Sequence, residues 1–190
     1  PGEFYQLDFE MSFVTQEDVF GTLEPILYEV FKENSNYNKA ESWSVSKLPF
    51  PRIPYDESLE KYGTDKPDLR NPLSIGEYTK IFVDSNFKIF ANKISKGFVV
   101  KGIKVQNVAN KPRSFFDKLN DWAKEEGGAG LGYINYYDND FKGPIAKNLS
   151  QDRLNNINLN NGEAIFFICD KLKNAQLFAG KVRNKLANDL

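Results

Sequence analysis

Two X-Pro steps within twelve residues, Tyr62 to Leu73 (YGTDKPDLRNPL), constrain this chain more than any other feature. Lys66 precedes Pro67 and Asn71 precedes Pro72, and a clash with each proline ring holds the preceding residue away from helical geometry. Gly63 permits a sharp bend at the front. The segment therefore reads as extended or turn backbone, and the character of the chain changes after it. It carries Asp65, Lys66, Asp68 and Arg70, with Leu69 as its one clearly apolar residue. Two readings stand open. One is a stiff charged connector with local salt bridges. The other is a preorganised loop in which Lys66 and Arg70 meet phosphates while Asp65 and Asp68 hold them in place by ion pairing.

Ahead of the segment, EFYQLDFEMSF alternates with a period of two. Tyr5, Leu7, Phe9, Met11 and Phe13 point one way and Gln6, Asp8, Glu10 and Ser12 the other, which predicts a strand. Thr15 followed by Asp18 is a capping-box spacing, and Val19, Phe20, Leu23, Ile26, Leu27, Val30 and Phe31 continue at helical spacing. Pro25 interrupts that helix. The polar run ENSNYNKAES, 33–42, predicts a loop. A short helix follows Pro54, with Tyr55, Leu59 and Tyr62 on one face and Gly63 as its terminator.

Beyond Leu73 short strands and helices alternate. FKIFANKIS (87–95), GFVVKGIKVQ (97–106), GLGYINYYD (130–138) and EAIFFICDKL (163–172) read as strands, the last holding Cys169 as a buried residue. Ser114 to Glu126 reads as a helix with Ser114 and Asp117 at cap spacing and Phe115, Leu119, Trp122 and Ala123 on its apolar face. DRLNNI predicts a short helix, and a final helix runs from about Asn174, with Phe178, Val182 and Leu186 in a row and Lys181, Arg183 and Lys185 on its solvated face. GGAGLG (127–132) lacks the Lys-Ser/Thr of a phosphate loop and follows a helix, so it reads as a helix-to-strand turn. The fold class is α+β: a two-layer unit of about a hundred residues with a mainly antiparallel sheet and helices on one face. It is spliced between elements of another domain.

Chemistry is narrowed by composition. The 190 residues contain no histidine, which removes Ser-His-Asp and Cys-His catalysis and histidine-based zinc sites. A net charge of −1 argues against wholesale wrapping by nucleic acid, though not against a local basic patch. No apolar run approaches the ~20 residues of a membrane helix. The single cysteine allows no internal disulfide and fits a reducing, cytoplasmic setting. Pro1-Gly2-Glu3 is unlike a secretory leader, and a start without Met reads as a piece of something larger. On the polar face of the first strand, Gln6, Asp8 and Glu10 stand roughly 7 Å apart in steps. Such a row suits an ammonium group, a ribose or a divalent cation, or is a solvated edge.

Three stretches, EFYQLDFEMSF, FPRIPYDESLEKYGTDKPDLRNPL and FKGPIAKNL, together resemble bacterial-type aspartyl-tRNA synthetase, in that family's order and over essentially the whole chain. The first is similar to the second half of class II motif 2, the second to the signature leading into the family's insertion, and the third to a hallmark of that inserted GAD domain. The resemblance implies a division into 1–73, partial catalytic domain; 74–173, inserted domain; and 174–190, a helix returning to the catalytic domain. It also implies a ligase that activates aspartate with ATP and Mg2+ and passes the aspartyl group to tRNA, working as a cytoplasmic homodimer. By position, Gln6 and Asp8 would recognise aspartate and its ammonium group, with Glu10 supporting them. Asp65, Lys66 and Arg70 would shape the active-site mouth or approach the tRNA acceptor end. No residue is expected to hold a metal, and no cofactor is expected on the piece by itself.

Departures bound the reading. The family's motif 2 arginine belongs upstream of Pro1 and its motif 3 beyond Leu190, and its anticodon-binding barrel has no counterpart here. The piece alone is therefore expected to form no adenylate. An alternative is a noncatalytic tRNA-associated GAD module, as in a tRNA-dependent amidotransferase subunit. The opening strand pattern and the DKPDLR signature favour the ligase.

Overall fold

The computed structural model describes residues 2–35 and 44–190. They divide into two compact units, Pro1–Arg52 and Ile53–Leu190.

The first unit is built on helix α1 (Gln16–Asn34). The expected capping box forms: Thr15 N–H donates to Asp18 Oδ2 at 2.8 Å and Asp18 N–H to Thr15 Oγ1 at 3.4 Å. The helix carries Pro25 within it and still runs to Asn34, so it enters the run expected as loop, whose remainder, 36–42, lies outside the described residues. Glu24, buried on this helix, accepts from Phe50 N–H at 3.2 Å and from the Arg52 guanidinium, which itself lies 4.4 Å over the Phe20 ring. The strand expected over 3–13 is not formed. Residues 2–10 have no regular hydrogen bonding and are exposed, Tyr5 and Phe13 fully so. Alternation supplies only the pleat. A strand also needs a neighbour for its backbone groups, and among the described residues none pairs with this one.

In the second unit, helix α2 (Tyr55–Tyr62) ends at Gly63, whose φ of 70° is the left-handed cap expected of it. Then come β1 (Ile75–Glu77), α3 (Thr79–Phe82), α4 (Lys88–Ile94), β2 (Val99–Val105), α5 (Arg113–Glu125), β3 (Gly132–Tyr137), β4 (Asp140–Lys142), a 3-10 turn (Ala146–Asn148), α6 (Gln151–Ile157), β5 (Ala164–Asp170) and α7 (Leu172–Asp189). The five strands form one sheet in the order β1-β2-β5-β3-β4, antiparallel throughout, with Lys101 opposite Ile168 and Tyr133 opposite Phe166.

The α+β class and antiparallel sheet stand as expected, but helices cover both faces, not one. Ile103, Val105, Phe166 and Ile168 face α5 and α7, through Phe116, Leu119, Val182 and Leu186. Val100, Ile134, Ile165, Phe167 and Cys169 face α3, α4 and α6, through Phe82, Phe90, Leu154 and Ile157. The reason lies in AIFFIC. A strand that is apolar without alternation must be buried on both sides.

Two further expectations give way. FKIFANKIS is helix α4, because Phe87, Phe90 and Ile94 fall on one helical face against the sheet; the Phe90 ring sits 4.9 Å from those of Phe82 and Phe87. Helix α5 is capped by Pro112, not by Ser114. With Arg113 already its first residue, Ser114 lies inside the helix, and Asp117 pairs with Arg113 at 3.4 Å. GGAGLG is the turn from α5 into β3, with Gly128 N–H donating to Ala123 O at 2.8 Å.

Burial of Cys169 pushes its thiol from 9.0 up to about 11, so at pH 8 its thiolate fraction falls about 100-fold, a tenfold per unit. Folding is correspondingly favoured below pH 9 through this group, and that contribution is lost as pH climbs through about 11. Reaction with a disulfide reagent at pH 8, timed for native and guanidinium-unfolded chain, is expected to differ by at least that factor.

Candidate functional site: a charged segment held by a buried arginine

Residues 62–73 form a charged feature of the second unit whose side chains are paired with one another. Their entry is fixed by backbone contact: Gly63 lies against Gly180 of α7 so closely that a Cβ on Gly63 would stand 2.5 Å from Gly180 N, and one on Gly180 would stand 2.6 Å from Gly63 O. Buried Ser58 donates its hydroxyl to Thr64 O at 2.7 Å, and Lys66 N–H reaches Thr64 Oγ1 at 3.2 Å.

The charges are paired within the segment, as expected. Lys66 Nζ meets Asp65 Oδ2 at 2.6 Å. Arg70 grips Asp68 bidentately, Nε to Oδ1 at 2.9 Å and Nη2 to Oδ2 at 2.7 Å, and its own N–H donates to Asp68 Oδ1 at 3.0 Å. The Arg70 side chain and then its backbone N–H hold the Asp68 carboxyl down to about 2. Lys66 holds Asp65 below its ordinary value in the same way. Both cations remain open to solvent, the Arg70 side chain 91% exposed. Such pairs add little to stability in water but set where the cations stand.

Arg183 departs from the solvated face of α7 expected of it: it is completely buried. Its Nε donates to Leu73 O at 2.6 Å and its Nη2 to Asn71 O at 2.7 Å and Asp68 O at 2.9 Å, while its carbonyl accepts from Asn71 Nδ2 at 3.3 Å. The guanidinium also lies 5.0 Å over the Tyr62 ring. Its neighbours Lys181 and Lys185 do face outward, pairing with Glu126 at 3.0 Å and Asp189 at 2.9 Å.

A second buried cation, Lys101, has its ammonium 2.5 Å from Glu60 and 2.9 Å from Glu77, and Gln176 Nε2 donates to Glu60 Oε2 at 3.0 Å. This cluster ties α2, β1, β2 and α7 together, and the Lys101 hydrogen bond holds the Glu60 carboxyl below its ordinary value. Sequence reasoning missed it, although a lysine inside VVKGIKV was the available signal.

In the first unit Gln6, Asp8 and Glu10 are all exposed, and Gln6 Nε2 donates to Asp8 Oδ1 at 2.7 Å. That contact puts two of the three polar groups side by side. Among the described residues no three Cys, Asp or Glu side chains gather as a metal site.

A model of the tRNA synthetases class II (D, K and N) matches residues 1–188. The chain belongs to that family. Over its full length it is 54% identical to an aspartate–tRNA(Asp/Asn) ligase of Paramagnetospirillum magneticum and 54% identical to one of Acidiphilium cryptum, and spans 22% and 32% of those proteins. A Rickettsia bellii protein with the same designation is 52% identical, with 31% of its length spanned. The synthetase chain is thus similar to less than a third of each relative.

Two outcomes follow for this synthetase segment. Gly180→Ala should destabilise the fold by about 2 kcal/mol in urea titrations, because a backbone clash outweighs the ~1 kcal/mol of helix propensity that alanine gains. The Asp68 carboxyl, followed by its 13C shift, should titrate near pH 2 rather than 3.8. Its folded value is depressed, so the pair's contribution is present above about pH 3.8 and is lost as pH falls through about 2; Asp68→Asn should abolish that dependence.

Proposed function

We propose that this chain is part of an aspartate–tRNA ligase, which joins aspartate to ATP, releases pyrophosphate and passes the aspartyl group to the end of tRNA. The observation that carries the reading is identity of 50–54% along the entire chain to proteins that bear that name. Because the relatives are named for both tRNAs, the reading extends to a parent that also charges asparagine tRNA.

In this reading Gln6 and Asp8 receive the aspartate substrate and its ammonium group, and Glu10 supports them. The side-by-side Gln6 amide and Asp8 carboxylate offer the acceptors such a group needs. Asp65, Lys66 and Arg70 line the mouth of the site or meet the tRNA acceptor end, where two solvent-facing cations suit phosphate. Residues 1–73 and 174–190 belong to the catalytic domain and 74–173 to its insert. The parent is a cytoplasmic homodimer; no helix among the described residues is long and apolar enough to cross a membrane. ATP is the co-substrate and Mg2+ its companion. Among the described residues no three Cys, Asp or Glu side chains gather to hold the ion.

Chemistry of this kind runs on positioning and electrostatics, which a chain without histidine can supply. The full-length parent should catalyse aspartate-dependent ATP–pyrophosphate exchange, and the 190 residues alone should give none above background. Exchange by the short chain, or exchange by the parent with an amino acid other than aspartate only, would overturn the reading.

A further inference from the structure

The hydrogen bonds of the charged segment show an unusual dependence. Those made within it are local: Asp65 with Lys66, Asp68 with Arg70, and Asn71 Oδ1 with the Leu73 N–H at 3.0 Å. Among the described residues, each hydrogen bond joining 65–73 to anything outside 62–73 involves Arg183. The two cations take their direction from backbone on either side of them. At the front that backbone is set by the Ser58–Thr64 bond and the Gly63–Gly180 contact. At the back its hydrogen bonds come from one guanidinium on a helix 110 to 115 residues further along the chain, with Leu73 packed against the apolar core beside them.

We infer that Arg183 is a positioning residue for the substrate-facing cations Lys66 and Arg70: it acts on the carbonyls of Asp68, Asn71 and Leu73 and so fixes where those side chains stand. The inference rests on the reading above that Lys66 and Arg70 serve the active-site mouth or the tRNA end. Three features support it over a role in holding the fold alone. The fork of donors on a guanidinium reaches three carbonyls in different directions, which an ammonium point charge does not. The contacted carbonyls of Asp68 and Asn71 flank Arg70, so rotating or sliding this backbone redirects the Arg70 side chain at once. The side-chain hydrogen bonds of Arg183 all go to the charged segment, while the apolar packing of α7 on the sheet is made by Ala175, Ala179, Val182 and Leu186.

The test is a double-mutant cycle in the full-length ligase, reading kcat and KM for tRNA and confirming folded enzyme by circular dichroism and gel filtration. Arg183→Lys should lower kcat/KM for tRNA about tenfold or more, since displaced contact groups are costly to catalysis. In a Lys66→Ala/Arg70→Ala background the same change should cost no more than about twofold, because the groups it positions are gone. Should Arg183→Lys fail to fold, Asn71→Ala, which removes the amide bonded to the Arg183 carbonyl, carries the same comparison with a smaller loss. An equal loss in both backgrounds assigns Arg183 to the fold alone and overturns the inference, as does no loss in the native background. If Lys66→Ala/Arg70→Ala itself leaves kcat/KM unchanged, the reading of those cations fails first and the inference falls with it.

Discussion

Strand β5 has no face that it can show to water. Every residue from Ala164 to Cys169 is buried, at 7% exposure or less, so its edges need strands and both of its faces need helices. The arrangement of the second unit follows from that demand. β2 and β3 take the two edges, α5 and α7 one face, and α3, α4 and α6 the other. Aromatic rings fill both layers, with Phe116 stacked 4.2 Å from Tyr133 on one side and Phe167 edge-on to Phe82 at 5.1 Å on the other. Arg153 of α6 secures its layer by donating to Ile81 O and Val83 O at 2.5 and 2.7 Å.

The same sheet determines where charge is tolerated. Lys101 shares a face of β2 with Ile103 and Val105, towards α7, and it is buried there only because Glu60 and Glu77 converge on its ammonium. Arg183 is handled differently: main-chain carbonyls neutralise nothing but take up its Nε and Nη2 donors in a fixed pattern, while Nη1 is buried with no hydrogen-bond partner among the described residues. One buried cation thus locks helix α2 to the sheet, and the other shapes the charged segment that follows α2. Both lie close to the Gly63–Gly180 crossing, where backbone meets backbone with no room for a side chain.

Much of the local structure was legible in the sequence because its causes are local. The Thr15–Asp18 box, the Gly63 cap and the Asp68–Arg70 pairing each depend on residues a few positions apart, and the apolar runs that become β2 and β5 are visible before their pairing is known. The misreadings share a different origin. Residues 3–13 alternate as a strand should, yet a ladder is a property of two segments, and no described segment supplies the second. FKIFANKIS satisfies a strand pattern loosely and a helical one through Phe87, Phe90 and Ile94, and packing against Phe82 and the sheet chose the helix. Ser114 had the right spacing for a cap, but Pro112 started the helix sooner.

The sequence by itself determined the class of chemistry and the character of the candidate site: no histidine, a proline-stiffened run of paired charges, and a full-length likeness to one synthetase family. The tertiary structure alone decided which charges are buried. Lys181, Arg183 and Lys185 are alike in sequence, alternating along one helix, and nothing local separates them. Arg183 differs because the crossing of α7 over Gly63 aims it at carbonyls more than a hundred residues earlier, and a buried cation persists only where such acceptors are already in place.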